Sequence, residues 1–402
     1  MSKTCLMMVA GERSGDVYGA ALARELSLWI GDLDVFGCGG EAMRGAGVET
    51  VVDLREVALI GISEVVSGLP KAYRAMRRLA QESVRRKPAL AILIDSPSFN
   101  LRLATRLKQQ GIPVIYFVSP QIWAWKKWRI KKIKACVDKM LCLFDFEEAI
   151  YKQAGVPVEY VGHPLVDVAG IRHSREEFFN RAGLDLSLPT VALLPGSRKT
   201  EVTFNLPTML EAAGRLGSSR PIQFLLAVAP TLDPRWLESL VADHYVGRAA
   251  IRTLSDATHD ALEHSDVAVV ASGTATIEAA LRERPMVVVY RVSSFTALCA
   301  KVMIDVPFYS MVNLLAGKGV VPELIQDDFE AAGLAARVRA LLDDGEARNQ
   351  MVRDLREVKS RLGPGGAIER AALAIVRHLQ GLGASINTCG SIPQHGRIDV
   401  RT

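Results

Sequence analysis

Residues 266–281 read Asp-Val-Ala-Val-Val-Ala-Ser-Gly-Thr-Ala-Thr-Ile-Glu-Ala-Ala-Leu, and this stretch decides the fold. Residues 267–271 are all apolar and predict a buried strand, Ser272 and Gly273 predict a tight turn, and a helix is expected from Thr274. A buried strand that leads at once into a helix is the repeating unit of parallel α/β sheets.

The same stretch has the features of an anion site. A helix start presents free backbone N–H groups and a partial positive charge, both of which favour a diphosphate. Glu278 follows Thr274 by four residues, so it lies on the same helix face, where its carboxylate can accept hydrogen bonds from ribose hydroxyls. The alternative is an ordinary strand-to-helix turn with a solvated Glu278, and the spacing alone leaves both interpretations open.

Composition sets the broad class of the protein. A chain of 402 residues is longer than one hydrophobic core ordinarily accommodates, so two domains are expected. A content of 49% hydrophobic and 23% charged residues is typical of a folded protein. The net charge of +5 is small, so clusters of charge matter more than the total. The six cysteines lack C-x-x-C spacing, which argues against a zinc site or a disulfide framework and favours a reducing compartment.

Short apolar runs alternate with helical segments in two consecutive series. The predicted strands are residues 5–10, 35–37, 90–94, 114–118 and 139–143, and then 190–194, 222–227, 250–252, 267–271 and 286–290. Helices are predicted between them, for example over residues 18–29 and 72–86. The pattern predicts an α/β protein with two Rossmann-like, doubly wound parallel-sheet domains facing each other across a cleft.

The predicted domains are residues 1–168 and 169–343. Residues 344–380 predict helices whose packing partner the pattern leaves open, and the small, polar residues 381–402 predict a disordered tail. Because no apolar run approaches the roughly 18 residues of a membrane span, we expect a cytoplasmic protein with at most peripheral membrane contact.

Polar side chains follow two strands of the first series. Residues 11–16 place Ser14 as a donor at the edge of the expected cleft, although the pattern alone favours a tight turn with Asp16 near the helix start. Asp95 follows the strand 90–94, where a general base is expected, and capping of the next element is the alternative. His163 is a second candidate base, but a histidine in a Gly-His-Pro turn is more typical of a domain hinge.

In the second series, residues 195–198 read Pro-Gly-Ser-Arg after a strand. Gly196 allows close backbone approach, and Arg198 can contact phosphate with two hydrogen bonds. Together with residues 272–278 they indicate one diphosphate held from two sides. The spacing around Arg291 and Asn313 is only a weak signal for contact with a base or sugar.

Two basic segments lie in the first series. Six of the residues 126–134 are basic and three tryptophans, Trp123, Trp125 and Trp128, accompany them, which suits a phosphorylated ligand, an anionic membrane or nucleic acid. Residues 57–70 are apolar and precede the basic face of residues 71–87, a pattern typical of bilayer contact. A charged outer helix face over an ordinary core is the alternative for both.

Taken together, these motifs resemble the lipid-A-disaccharide synthase family, inverting glycosyltransferases with the two-Rossmann architecture called GT-B. The resemblance rests on the ordered set of residues 10–16, 95–100, 118–125, 162–164, 194–198, 272–275, 290–291 and 313–317, so it covers nearly the whole chain.

The resemblance implies transfer of a sugar from UDP-2,3-diacylglucosamine to 2,3-diacylglucosamine 1-phosphate, which forms a β-1′,6 linkage and releases UDP. It implies that Asp95 is the base and Ser14 a further catalytic group. It implies action at the inner face of the bacterial inner membrane, without a cofactor, a metal or nucleic acid.

Two sets of binding residues are implied by the same resemblance. Those expected to bind the UDP-sugar are Gly196, Ser197, Arg198, Gly273, Thr274, Glu278, Arg291 and Asn313. Those expected to contact the membrane or lipid are Ile60, Ile62, Val65, Val66, Leu69, Lys71, Arg74, Trp125, Lys126, Lys127 and Trp128.

Three other functions stay open at this point. UDP-N-acetylglucosamine 2-epimerases share the architecture, although the basic, tryptophan-rich first domain argues against a wholly water-soluble substrate. A related transferase that uses another lipid acceptor differs less from the implied reaction and is harder to exclude from the sequence. A non-catalytic membrane- or nucleic-acid-binding protein built around residues 126–134 would leave the second α/β series without a role.

Overall fold

A computed structural model describes residues 3–57, 65–123, 128–168, 170–229, 232–293, 297 and 307–383. The chain divides into two compact units. The N-terminal unit comprises residues 1–168 together with 364–402, and the central unit comprises residues 169–363.

The strands and helices alternate along most of the described chain. The strands are β1 (Thr4–Ala10), β2 (Leu33–Gly39), β3 (Glu49–Asp53), β4 (Leu90–Ile94), β5 (Val114–Phe117), β6 (Lys139–Cys142), β7 (Val158–Tyr160), β8 (Thr190–Leu194), β9 (Gln223–Val228), β10 (Ile251–Ser255), β11 (Val267–Ala271), β12 (Met286–Tyr290) and β13 (Glu323–Ile325).

The helices connect and cover these strands. They are α1 (Arg13–Trp29), α2 (Glu41–Gly45), α3 (Leu54–Val57), α4 (Val65–Arg86), α5 (Pro97–Gln109), α6 (Arg129–Cys136), α7 (Asp145–Gln153), α8 (Leu165–Val168), α9 (Arg175–Ala182), α10 (Lys199–Gly217), α11 (Pro234–His244), α12 (Thr258–His264), α13 (Thr274–Leu281), α14 (Met311–Ala316), α15 (Ala331–Asp343), α16 (Gly345–Arg361) and α17 (Ala367–Gly381).

Each unit contains one parallel sheet. The order is β3-β2-β1-β4-β5-β6-β7 in the N-terminal unit and β10-β9-β8-β11-β12-β13 in the central unit. The prediction of two parallel α/β sheets is therefore confirmed. All five residues of β4 and of β11 are buried, as expected for strands with helices on both faces.

The structure adds three strands that the sequence patterns did not indicate. β3, β7 and β13 are all edge strands. An edge strand is covered by fewer neighbours and has no continuous apolar run; β3, for example, begins with Glu49 and ends with Asp53. β5 also ends one residue earlier than predicted, because Val118 has a positive φ of 67°.

α4 shows how the helices cover the first sheet. Its buried residues Ala72, Ala75, Met76 and Leu79 follow helical spacing, and the last three belong to a core that includes Met7 and Phe36 of the sheet. The opposite face of α4 is exposed and basic.

The helices after residue 343 belong to different units. α16 lies in the central unit, whereas α17 returns to the N-terminal unit and contacts α1. The Asp167 carboxylate accepts hydrogen bonds from the backbone N–H groups of Gly366 (2.6 Å) and Ile368 (2.9 Å) at the start of α17. In the part of the chain that the structure describes, no helix combines the length and apolar character that a membrane crossing requires.

Candidate active site

In the N-terminal unit, the direction of strand addition reverses between β1 and β4. β1 leads to β2 on one side, and β4 leads to β5 on the other. Ala10 and Ile94 pair at the ends of these strands, so Gly11 and Asp95 follow side by side at the carboxyl edge of the sheet. Ligands of open α/β sheets bind at such a reversal.

Asp95 occupies an unusual corner of the backbone. Asp95 and Ser96 have φ values of 51° and 46°, in the left-handed region. The Asp95 carbonyl oxygen accepts a hydrogen bond from Asn100 Nδ2 at 2.8 Å and another from the Tyr116 hydroxyl. Asn100 and Tyr116 are fully buried, whereas Asp95 itself is half-buried. The fold therefore fixes the backbone and leaves the carboxylate at the edge.

The loop after β1 packs directly against this corner. A Cβ added to Gly11 would lie 2.2 Å from Ser96 Cβ, so only glycine fits there. Ser14 is half-buried in the first turn of α1. The buried Asp16 caps α2, because its Oδ1 accepts the Gly40 N–H at 2.6 Å and its Oδ2 the Ala42 N–H at 3.1 Å.

Arg129 departs from the interpretation of residues 126–134 as a wholly solvated basic face. Its side chain is buried, and Nη2 donates to Ser98 Oγ at 3.2 Å, so it joins α6 to the first turn of α5, three residues beyond Asp95. Burial is the main cause that lowers the pKa of Arg129. Sequence reasoning missed this role because one arginine in a basic run carries no separate signal.

His163 is buried, which disfavours it as the general base because a buried imidazole holds a proton weakly. Burial lowers the pKa of His163 to about 3, so the imidazole is neutral at pH 7. Its Nδ1 accepts the backbone N–H of Leu165 at 3.2 Å, and its ring contacts those of Tyr18 and Phe144. His163 therefore stabilises a turn.

Glu147 is a buried acid that the sequence analysis did not single out. Its Oε1 accepts the Trp123 Nε1–H at 3.1 Å, and its Oε2 accepts the backbone N–H groups of Leu143 and Phe144 at 3.2 Å. Burial outweighs these hydrogen bonds and raises the pKa of Glu147 to about 7. Glu147 thus holds Trp123 against α7.

The central unit repeats the reversal between β8 and β11. Leu194 pairs with Val270, so the loop of residues 195–198 and the loop of residues 272–273 lie next to each other at the carboxyl edge. Each loop opens a helix, α10 or α13. The two segments predicted to share a diphosphate are therefore neighbours.

Glu201 organises the first of these loops. Its Oε2 accepts the backbone N–H groups of Ser197 (3.0 Å) and Arg198 (3.3 Å), and its Oε1 pairs with Arg198 Nη1 at 2.9 Å. A Cβ on Gly196, whose φ is 127°, would lie 2.6 Å from Glu201 Cβ. The Arg198 side chain remains about half exposed.

The N-cap residue of α13 makes no side-chain hydrogen bond, whereas Glu201 accepts two backbone N–H groups at the start of α10. The N-cap of α13 is Gly273, which has no side chain with which to cap the helix, and Gly273 and Thr274 are exposed. Glu278 is half-buried one turn further along the helix. Exposed N–H groups and a partly exposed carboxylate thus occur on the same helix.

Arg291 and Asn313 are engaged inside the central unit. The Arg291 guanidinium donates to Thr208 Oγ1 (2.7 Å), to the Gln326 carbonyl (3.2 Å) and to the Phe329 carbonyl, and it stacks over the Phe329 ring. Its backbone N–H donates to Asn205 Oδ1 at 2.9 Å. These contacts brace the end of β12.

Asn313 uses both ends of its amide in the same way. Oδ1 accepts the N–H groups of Val320 (2.7 Å) and Val321 (2.9 Å), and Nδ2 donates to the Val321 carbonyl (2.9 Å) and to Glu323 Oε1 (2.8 Å). Glu323, which sequence reasoning missed, also accepts the N–H groups of Tyr309 and Ser310. Together these contacts shape the loop beside β13.

The expected lipid contacts are only partly covered by the structure. Lys71 and Arg74 are exposed on α4, and Trp128 is 66% exposed. Val65, Val66 and Leu69 belong to the backbone of α4, but their side chains lie outside the described set. Ile60, Ile62, Trp125, Lys126 and Lys127 lie outside the described residues altogether.

Residues 6–373 match the family model described as lipid-A-disaccharide synthetase. The lipid-A-disaccharide synthase of Solibacter usitatus is 41% identical over 377 residues, which cover 94% of this chain and 98% of the relative. The Myxococcus xanthus enzyme of that name is 44% identical over 93% of this chain and 97% of its own length. The chain belongs to the lipid-A-disaccharide synthase family.

Membership of the lipid-A-disaccharide synthase family makes this chain an inverting glycosyltransferase that forms the lipid A disaccharide from a UDP-sugar and an acceptor sugar. The function predicted from the ordered motifs is confirmed.

Solved structures share the GT-B architecture of this lipid-A-disaccharide synthase family member. The S. aureus MnaA–UDP structure has a TM-score of 0.66 at 13% identity, covering 94% of this chain and 97% of that one. The calicheamicin glycosyltransferase CalG4 has a TM-score of 0.59 at 14% identity, covering 95% and 99%. The UDP-N-acetylglucosamine 2-epimerase of Neisseria meningitidis bound to UDP-GlcNAc has a TM-score of 0.64 at 11% identity, covering 93% and 100%. At these identities the likeness shows the fold alone.

Proposed function

We propose that Asp95 is the general base of the transfer and that the central unit binds the UDP of the donor. The donor is UDP-2,3-diacylglucosamine, and the acceptor is 2,3-diacylglucosamine 1-phosphate. The observation that carries the proposal is the position of Asp95 and of the 195–198 and 272–278 segments, each at the reversal point of its own sheet.

The proposed chemistry is a single displacement. Asp95 takes the proton of the acceptor 6-hydroxyl as that oxygen forms a bond to C1 of the donor sugar. The bond from C1 to the diphosphate oxygen breaks on the opposite face, so the configuration at C1 inverts. Ser14, in the first turn of α1, is proposed as a hydrogen-bond donor in the same unit as Asp95.

The leaving UDP gains negative charge as its bond breaks. In the proposal, the backbone N–H groups at Gly273 and Thr274 and the Arg198 guanidinium stabilise that charge. Gly196 and Ser197 form the loop beside Arg198, and the Glu278 carboxylate accepts hydrogen bonds from the ribose hydroxyls. We assign Arg291 and Asn313 the role of holding the surrounding loops, since their hydrogen bonds are made within the unit.

We further propose that the N-terminal unit contacts the inner face of the bacterial inner membrane and not nucleic acid. Exposed Lys71, Arg74 and Trp128 support this, because basic and aromatic side chains suit an anionic lipid surface. The proposed contact also includes the apolar residues Ile60, Ile62, Val65, Val66 and Leu69, and the segment Trp125, Lys126 and Lys127.

The test combines calorimetry with an assay of UDP release from the two diacylglucosamine substrates. UDP is expected to bind the intact protein and the Asp95→Asn variant alike, while turnover requires Asp95. Absence of UDP binding by the intact protein would remove the assignment of the central unit. Formation of an epimer from UDP-N-acetylglucosamine alone would instead favour isomerase chemistry.

A further inference from the structure

Residues 118–123 follow β5 and begin at the carboxyl edge of the first sheet, next to Asp95. β5 pairs with β4, with Phe117 opposite Ile94, and the Asp95 N–H donates to the Phe117 carbonyl at 3.0 Å. The segment therefore starts beside the proposed base, on the side away from the β1–α1 loop. Trp123 ends this segment, and neither the proposed displacement nor the proposed membrane contact uses it.

The indole of Trp123 is held by two neighbouring side chains of α7. Its Nε1–H donates to Glu147 Oε1 at 3.1 Å, and its ring meets the Phe146 ring edge-on, with 5.3 Å between centroids. Glu147 Oε2 in turn accepts the backbone N–H groups of Leu143 and Phe144, so the carboxylate is itself fixed. Glu147 is only 1% exposed, whereas Trp123 is half-buried, so part of the indole reaches solvent.

The same helix also holds the backbone of the segment. The buried Tyr151 hydroxyl donates to the Pro120 carbonyl at 3.2 Å. The segment opens with Val118, whose left-handed backbone is unusual for a β-branched residue and persists only where the surroundings hold it. α7 thus fixes both the side chain of Trp123 and the backbone that carries it.

Ring contacts continue from Trp123 along the edge of the sheet. Phe146 stacks on Phe144 with 5.6 Å between centroids, and Phe144 contacts His163 at 5.7 Å. His163 meets Tyr18 of α1 edge-on at 6.4 Å. These rings join the chain that follows β5, β6 and β7 to α1, so Trp123 belongs to a packed rim.

We propose that Trp123 contacts the glucosamine ring of the acceptor and that Glu147 is its positioning residue. The electron-rich face of an indole suits the C–H groups of a pyranose ring, and its polar N–H is already satisfied by Glu147. An indole fixed in advance loses little rotamer freedom when the acceptor binds. This inference rests on the proposed placement of the acceptor beside Asp95, and it involves neither the basic face of α4 nor the UDP site.

The test is a double-mutant cycle on the acceptor KM, measured at about pH 8 in neutral detergent micelles with saturating donor. At that pH the carboxylate is mostly ionised, because burial raises the pKa of Glu147 to about 7. Glu147→Gln leaves one acceptor oxygen in place of two, so either the indole or the backbone N–H groups lose their partner. Glu147→Gln and Trp123→Phe are each expected to raise the acceptor KM by about 10-fold. The double variant should exceed either single variant by less than about 2-fold, because Glu147 acts through Trp123.

Glu148→Gln is the matched control on the same helix and should keep the acceptor KM, because Glu148 pairs with Lys152. An unchanged acceptor KM in Trp123→Phe would overturn the contact with the sugar. Multiplied losses in the double variant would overturn the positioning role, since Glu147 would then act without the indole.

A measurement on the intact protein keeps the test valid if a variant folds poorly. In protein with ¹⁵N-labelled tryptophan, the Trp123 indole resonance is identified by its absence from Trp123→Phe or Trp123→Tyr. It is expected to shift on addition of acceptor micelles and not of empty micelles, and no difference between the two would overturn the proposal. UDP calorimetry and the turnover of Asp95→Asn report separately on the donor site and the base, so failure of the proposed function is recognised independently.

Discussion

Asp95 and Ser96 both take left-handed backbone conformations although neither is glycine. Each such residue costs about 1–3 kcal/mol and persists only where the surroundings hold it. Here the buried side chains of Asn100 and Tyr116 bind the Asp95 carbonyl oxygen. Strain held in this way at the carboxyl edge of a sheet is typical of a functional residue.

We expect Asp95→Asn to keep UDP binding but to slow turnover by about 10²–10⁴-fold, because the amide cannot take the acceptor proton. The change preserves the shape and leaves the carbonyl contacts of Asp95 in place. Single-turnover rates with both acylated substrates provide the measurement. Turnover within a few-fold of the unaltered protein would exclude Asp95 as the base.

Glu278→Ala is expected to weaken UDP binding by about 10–100-fold, the loss of hydrogen bonds to a charged acceptor. Calorimetric titration with UDP measures this effect. Glu346→Ala serves as the control, since Glu346 is an exposed glutamate in the first turn of α16 in the same unit. If both variants bind UDP equally well, Glu278 is a solvated helix residue.

Glu147 gives the protein a measurable pH dependence of stability. Its pKa rises from an ordinary 4.5 to about 7 on folding, so the folded protein holds the proton more tightly. The stabilisation is therefore complete below pH 4.5 and is lost as the pH rises through 7, by about 3 kcal/mol over the window.

Chemical denaturation between pH 4.5 and 7.5 tests this, with Glu147→Gln compared against the unaltered chain. The free energy of unfolding of the variant should fall less steeply with pH. Glu148→Gln, a change at the half-buried neighbour that pairs with Lys152, should keep the original slope. A parallel slope for Glu147→Gln would show that Glu147 does not titrate in this range.

At the scale of elements, the contact between the β1–α1 loop and the β4–α5 loop is closest at Gly11. A Cβ there would meet Ser96 Cβ at 2.2 Å, whereas one at Gly15 would meet Ala10 Cβ at an ordinary 3.4 Å. We expect Gly11→Ala to push the backbone of Asp95 and Ser96 out of position, which lowers kcat. The same clash should lower the free energy of unfolding by about 1–3 kcal/mol.

Gly15→Ala is the matched change, because it adds the same methyl group one turn away and within a helix. Its thermal stability and turnover should stay close to those of the unaltered protein. Equal behaviour of the two variants would mean that the loop of residues 11–12 can move away from Ser96 without consequence for the site.

The apolar runs of the sequence were sufficient to predict the central strands, because a strand buried on both faces must be apolar. They also located the loops of the site, because each loop begins where an apolar run ends. They missed β3, β7 and β13, whose edge positions remove that requirement. Sequence reasoning also missed Arg129, Glu147 and Glu323, because their roles depend on partners ten or more residues away or on burial that one residue cannot reveal. Glu201 was missed although its partners are local, because its capping contact is made to Arg198 and not to a Ser or Thr N-cap.

For the whole molecule, the proposed reaction relies on Arg198 and helix N–H groups to stabilise the leaving diphosphate. We therefore expect full activity in excess EDTA. The measurement is the rate of UDP release before and after prolonged dialysis against the chelator. A loss of rate that Mg²⁺ or Mn²⁺ restores would indicate a metal-dependent mechanism.

Binding of the intact protein to anionic vesicles is expected to fall as salt is raised from about 0.1 M to 1 M. The range over which charges act shortens from about 10 Å to 3 Å across that interval. Co-sedimentation at several salt concentrations checks this expectation. Salt-independent binding would show that apolar insertion dominates the membrane contact.

The return of α17 to the N-terminal unit has a consequence for synthesis on the ribosome. Its buried face, which includes Ile368, Leu373, Ile375 and Leu379, belongs to a unit whose first strand is translated more than 350 residues earlier. The helix α1 emerges long before the surface that covers it, and the central unit is translated in between. During translation the early half thus exposes apolar surface until α17 leaves the exit tunnel, and chaperone capture of nascent chains should end at that length.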